Sequence, residues 1–327
     1  MEKMNPDYRV PKRLQIETIF ACNAKCIMCF VGQPESHDRN ITRRQGVMPE
    51  KMFEGIIDSL EPYKQKIEKV DLFGLGEPLL DKFIFDRIKY VKKSGFKNVA
   101  ISTNADLLDE DKQDLLLSSE IDTVIFSIDG IEAGTHESIR IGLDYNNLLK
   151  NCLSVIKKRN AGNYKTRFVV RFIRQEQNID EWDRYKEFWE KQLSFDRRDL
   201  LIVYDVNSMG GSVDVASYSK ADFEQSGLID PVLEAKPCHM VTDRLIILND
   251  GSVPLCCEDT PTNKFNFGNV SESRPIEIFN NKKFSQIRNL HLDGKKNDLS
   301  ICKDCTLLYS ERNTTVIQSY QDIAVIQ

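Results

Sequence analysis

The chain has 327 residues, 41% of them hydrophobic, enough for a sizeable core arranged as one large domain or two smaller ones. Its 45 basic and 50 acidic side chains give a net charge of −5 with no long basic stripe, so nucleic acid is not an expected partner. The N-terminus lacks the apolar segment of a secretory signal and no run of about 18 apolar residues occurs, so no membrane partner is expected and the expected location is cytoplasmic.

Residues 1–12 read as a polar extension. Residues 14–20 (L-Q-I-E-T-I-F) are the first apolar run and predict a strand. The basic stretch 39–44 (R-N-I-T-R-R) reads as a solvated loop rather than a phosphate site. Residues 49–63 have helical spacing (Met52, Phe53, Ile56, Ile57, Leu60), and 70–75 form a short strand. Residues 83–93 are helical and stop at Gly95. There follow a strand at 98–102, a helix at 109–119 with acidic residues in its first turn, and a strand at 123–128. A helix at 145–159 ends near Gly162, and 167–173 is a strand. A helix at 179–192 and a strand at 200–206 complete the series. Six strands with five helices between them imply a parallel sheet covered by helices. Periodicity does not decide between an open sheet and a partly closed barrel, but in either case chemistry belongs at the carboxyl ends of the strands. Residues 208–235 read as a linker with a short helix, and 236–327 as an irregular, cysteine-bearing second domain following the domain at 13–207.

Nine cysteines in a reducing compartment argue for metal ligands or reactive thiols over disulfides. Cys22, Cys26 and Cys29 form C-x3-C-x2-C directly after the first strand. Iron–sulfur clusters are usually held by four thiolates, so three this close can hold three irons of a [4Fe–4S] cluster and leave the fourth open to a small chelating molecule. A zinc site or three buried structural thiols are the alternatives.

This motif resembles the signature of the radical S-adenosylmethionine (SAM) superfamily, with Met28 where the family often has an aromatic residue. The resemblance implies a partial (β/α)6 barrel. It also implies a cluster whose open iron binds SAM and whose electron cleaves SAM to a 5′-deoxyadenosyl radical. Gly74-Leu75-Gly76-Glu77-Pro78 looks like the family's GGEP element at the SAM amino group. The glycines allow close backbone approach, and the carbonyls with Glu77 can accept from an ammonium. Ser102 and Asn104, and Ser127 and Asp129, resemble positions near the SAM methionine and ribose. Arg140, in H-E-S-I-R, is similar to an arginine that pairs with the SAM carboxylate. Arg171, Arg174 and Glu176 are further candidates for substrate or SAM contact.

A second cysteine set begins with C-x12-G-x4-C, from Cys238 through Gly251 to Cys256, and ends in the C-x2-C of Cys302 and Cys305. It resembles the SPASM domain of radical SAM enzymes, in the shortened "twitch" form with one auxiliary [4Fe–4S] cluster. The ligands that the resemblance implies are Cys238, Cys256, Cys302 and Cys305, with Cys257 competing with Cys256. Four thiolates close a cluster and make it an electron carrier; structural zinc is the alternative. Cys152 and the four histidines are expected to be core or surface residues.

The expected function is hydrogen abstraction followed by a two-electron oxidation of a small molecule such as a sugar or aminocyclitol, the reaction of twitch-type dehydrogenases. Modification of a ribosomally made peptide is the alternative enzyme reading, and a non-catalytic zinc or iron–sulfur protein the alternative of another class. The expected partners are the small-molecule or peptide substrate and a reducing protein such as flavodoxin or ferredoxin.

Overall fold

A computed structural model describes residues 8–31, 43–210, 231–261, 263–312, 314–318 and 323–325. Most of the expected N-terminal extension, most of the expected linker and the basic stretch up to residue 42 lie outside the described residues.

The predicted alternation is present: β1 (Arg13–Ile16), α1 (Glu50–Leu60), β2 (Lys69–Asp71), α2 (Ile84–Lys93), β3 (Val99–Thr103), α3 (Glu110–Ser118), β4 (Thr123–Ser127), α4 (Ala133–Ile139), α5 (Tyr145–Ala161), β5 (Arg167–Arg174), α6 (Trp182–Gln192) and β6 (Leu200–Asp205). In α1 the buried Phe53, Ile56, Ile57 and Leu60 lie on one face, each contributing about 1.5–3 kcal/mol relative to exposure. Asp109 caps α3 by accepting from Lys112 N at 2.9 Å, and Asp144 caps α5 by accepting from Asn147 N at 3.0 Å. Gly95, at φ +87°, takes the left-handed turn that ends α2. The helix α4 was not expected. It is a single short stretch whose apolar content is confined to its ends, so no 3.6-residue stripe announces it.

Three further strands come from the cysteine-bearing C-terminal region: β7 (Arg244–Ile247), β8 (Thr315–Ile317) and β9 (Ile323–Val325). They join the same sheet, whose order is β7-β1-β2-β3-β4-β5-β6-β8-β9. From β7 to β6 every neighbouring pair is parallel, while β8 is antiparallel to β6 and β9 to β8. The sheet curls as a partial barrel, with β7 at one edge and β9 at the other. The residues expected to form a separate second domain therefore extend both edges of the barrel's own sheet.

Candidate active site

The carboxyl ends of β1 to β5 converge on the first cysteine loop. Cys26 is buried, and Cys22 and Cys29 are half-buried. The loop is sewn down at Lys25 and Cys26, which pair antiparallel with Ile141 and Arg140, and at Ile27, whose N donates to Ile139 O at 2.9 Å. Ala24 N lies 3.4 Å from Cys22 Sγ. Arg140 is buried between the Asp129 carboxylate and the Cys26 sulfur. Its Nε and Nη2 reach Asp129 Oδ2 at 2.8 and 2.7 Å, and its Nη1 lies 3.7 Å from Cys26 Sγ. The other Asp129 oxygen accepts from Ile173 N at 2.8 Å. Burial opposes the charge of Arg140, but Asp129 and the thiols of Cys26 and Cys29 outweigh it and raise its pKa. The sequence pattern aims Arg140 at the SAM carboxylate and Asp129 at the SAM methionine and ribose; in the fold these two side chains meet each other.

Burial pushes the Cys22 thiol up to about 12 against the Ala24 amide, and it raises Cys26 against Arg140. Bare thiols in such a place stay protonated at neutral pH, so a bound metal centre must supply the charge that makes them thiolates. The guanidinium and amide donors around the sulfurs suit that state. The donor set therefore fits a cluster.

The turn after β2 is held against this loop. A Cβ on Gly76 would stand 2.3 Å from Ile19 O and 2.8 Å from Ala21 O, and one on Gly74 would stand 2.5 Å from the Glu17 side chain. The close approach that glycine permits is thus to the chain's own backbone leading into Cys22. Glu77 N donates to Ala21 O at 2.8 Å. Its buried carboxylate accepts from Thr103 Oγ1 at 2.7 Å, Leu79 N at 3.0 Å and Asn104 N at 2.8 Å. Burial raises the Glu77 pKa, opposed by those three donors. Glu77 thus fastens the β2 end to the β3 end, with Pro78 opening the short turn Pro78–Leu80 that leads on to α2. Asn104 donates to Asn23 Oδ1 at 2.8 Å and so ties the β3 end to the cysteine loop.

Inside the barrel, Arg171 Nη2 donates to Ser127 Oγ at 2.6 Å and to Ser102 Oγ at 3.0 Å, and the two hydroxyls lie 3.3 Å apart. Its guanidinium lies 6.0 Å from the Tyr204 ring centroid. Arg174 pairs instead with Asp205 at 2.7 Å. A guanidinium whose described partners are hydroxyls keeps its charge available for a carboxylate.

Sequence reasoning missed one group. Arg43, placed in a solvated stretch, is buried in an ion pair with the fully buried Glu17. It also donates to Thr260 O and Asn249 Oδ1, each at 2.9 Å, and lies 4.2 Å above the Phe20 ring. Glu17 accepts from Leu75 N at 3.0 Å as well. The signal was Glu17 itself, a carboxylate in an apolar strand that requires a buried cation.

The second cysteine set forms one small cavity lined by Cys238, Cys256, Cys302, Cys305, His291 and Lys296, among others. Cys257 is not on its wall; its thiol donates to Glu258 Oε1 at 3.2 Å. Gly251, at φ +84°, makes the turn before Cys256, where a Cβ would stand 2.8 Å from Asn269 Oδ1. Burial raises Cys238 to about 11 and Cys302 and Cys305 to about 12, and it raises Cys256 further. These thiols too need a metal centre to ionise. Cys152 is fully buried in α5, as expected. Among the described residues no three His, Cys, Asp or Glu side chains gather round a single ion position; a cubane takes its thiolates one per iron, spread over its corners. No helix among the described residues is long and apolar enough to cross a membrane.

Comparison with known proteins agrees with this geometry. The family model of the radical SAM superfamily matches residues 16–181, and that of the iron–sulfur cluster-binding SPASM domain matches residues 238–306. A curated relative, the tungsten-containing aldehyde ferredoxin oxidoreductase cofactor-modifying protein of Pyrococcus furiosus, is 25% identical over 334 residues, covering 90% of this chain and 87% of its own. The crystal structure of BtrN in complex with AdoMet and 2-DOIA is similar over 97% of this chain and 100% of its own, with a TM-score of 0.60 and 16% identity. SuiB of Streptococcus suis bound to its precursor peptide SuiA covers 92% of this chain and 71% of its own, with a TM-score of 0.63 and 15% identity. At these identities the solved structures establish the fold. Such domains bind a [4Fe–4S] cluster with SAM and auxiliary iron–sulfur clusters, so the expected cofactors stand. The chain belongs to the radical SAM superfamily and is one of its SPASM-bearing enzymes.

Proposed function

We propose that this enzyme oxidises a small organic molecule by two electrons and that Cys238, Cys256, Cys302 and Cys305 hold the electron-accepting auxiliary cluster. The observation that carries this reading is the single cavity lined by those four cysteines, with Cys256 buried and the other three half-buried. When bound, the first cluster would supply the electron for SAM cleavage and hence for hydrogen-atom abstraction, and the second would accept the electron left on the substrate as a proton departs to solvent.

The chain's own residues prepare this chemistry. Cys22, Cys26 and Cys29 hold the first cluster, and Arg140, backed by Asp129, fixes the Cys26 corner and offsets its charge. The turn at Gly76, Glu77 and Pro78 offers backbone carbonyls to the SAM ammonium beside that loop. Arg171, with Ser102 and Ser127, takes the SAM carboxylate, the role that sequence gave to Arg140. Asn104 keeps the β3 end against the loop. The name of the curated relative, a cofactor-modifying protein, agrees with a non-peptide substrate. Reducing equivalents come from a flavodoxin- or ferredoxin-like protein.

The test is the Cys302→Ala variant. It should still form 5′-deoxyadenosine from SAM under reduction while losing oxidised product. Full turnover in that variant overturns the electron-acceptor role. Deuterium transfer into 5′-deoxyadenosine from labelled sugars, aminocyclitols or a short peptide distinguishes the substrate classes.

A further inference from the structure

His291 sits near the end of the helix Lys282–Leu292 with 1% of its surface exposed. Nothing in the chemistry above uses it, yet its ring touches two of the four auxiliary cysteines. Cys238 N donates to His291 Nδ1 at 3.4 Å, and His291 Nε2 lies 3.7 Å from Cys302 Sγ. A backbone amide can only donate, so Nδ1 must be the bare nitrogen. The neutral ring then carries its proton on Nε2, aimed at the sulfur. The hydrogen bond made by one ring nitrogen fixes what the other can do. The Lys296 ammonium, 6% exposed and anchored to Leu233 O at 2.6 Å, lines the same cavity.

We propose that His291 is a positioning residue of the auxiliary centre, donating Nε2–H to the Cys302 thiolate and making the cluster a better electron acceptor. This rests on the reading that Cys238, Cys256, Cys302 and Cys305 hold that cluster. Four thiolates around one small cavity concentrate negative charge, which resists a further electron. Hydrogen bonds to cluster sulfurs raise the reduction potential, and groups behind the ligands tune metal centres in this way. The Lys296 charge acts in the same direction. The contact with Cys238 also orients the ring, because that amide is the backbone N–H of a second cysteine of the same cavity.

The experiment is a reductive titration of the protein loaded with both clusters, followed by electron paramagnetic resonance, in the wild type and in His291→Leu and His291→Gln. His291→Leu removes the donor and should lower the auxiliary midpoint potential without moving that of the SAM-binding cluster. His291→Gln carries an amide nitrogen to the Nε2 position and should restore most of the shift. An unchanged auxiliary midpoint in His291→Leu at full iron content overturns the proposal. So does a nitrogen coupling of the size of a directly iron-bound imidazole. If His291→Leu fails to hold the second cluster, pulsed spectra of the wild type in heavy water decide. An exchangeable deuteron coupled to the auxiliary cluster supports the proposal, and its absence overturns it. Failure of the underlying ligand reading looks different, because Cys302→Ala would then keep an unaltered second cluster.

Discussion

The two cysteine sites are built on opposite plans. Cys22, Cys26 and Cys29 sit on one loop, with two of the thiols half-exposed and a guanidinium against the third. Cys238, Cys256, Cys302 and Cys305 come from three segments and line one small cavity with an imidazole on its wall, Cys256 buried and the other three half-buried. Local spacing makes the first site, whereas the fold makes the second. A site made by a short loop can present one open face to a ligand. A site that offers four thiolates leaves no open metal position for a ligand and is left with the handling of electrons.

The strongest way to break this comparison is at the open site. Cys22→Ala should reduce SAM cleavage to background, read as 5′-deoxyadenosine formed under reduction; appreciable cleavage would mean that these thiols do not hold the radical-forming cluster. Next in size is the brace behind it. Asp129→Ala strands the buried Arg140 charge and should destabilise the protein by about 3–5 kcal/mol in denaturant unfolding. A loss under 1 kcal/mol, by the same scale, would mean that the pair is solvated in practice.

Gly76→Ala should cost about 1–3 kcal/mol through overpacking, because the new methyl meets Ile19 O. Gly55→Ala in α1, where nothing lies within 4 Å, should instead stabilise by about 0.8–1 kcal/mol and serves as the control. Equal effects of the two substitutions would deny the close approach at the turn. The smallest expected effect sharpens the closed site. Cys257→Ser should leave iron content and the auxiliary signal unchanged, while Cys256→Ser removes that signal; the reverse result would exchange the two neighbours.

The contrast also explains what could be read from sequence. The parallel strands were legible because strands covered on both faces carry nearly unbroken apolar runs, as in V-A-I-S-T of β3. The loop cysteines were legible because their spacing is their geometry. Which arginine faces which carboxylate was not. Arg140 and Asp129 are close in the chain, but whether they turn toward each other or toward a ligand depends on the strand pairing that brings Ile173 N to Asp129. Arg43 was hidden for a related reason: a basic run looks solvated until the fold brings Glu17 to it. The R-L-I-I of β7 lies in a region that reads as irregular, and nothing local says that it pairs with β1.

That pairing has a consequence during synthesis. The β1 residue Arg13 faces Arg244, which leaves the ribosome about 230 residues later. At about 5–20 residues per second, the outer rim of β1 therefore waits roughly 10–50 s for its neighbour. Throughout that interval Leu14 and Ile16, fully covered in the finished protein, belong to an unpaired edge of the kind that recruits foreign strands. The second cysteine region thus acts as a late-arriving clasp on the nascent barrel. Chaperone dependence of this enzyme should track the arrival of β7 rather than the completion of the six preceding strands.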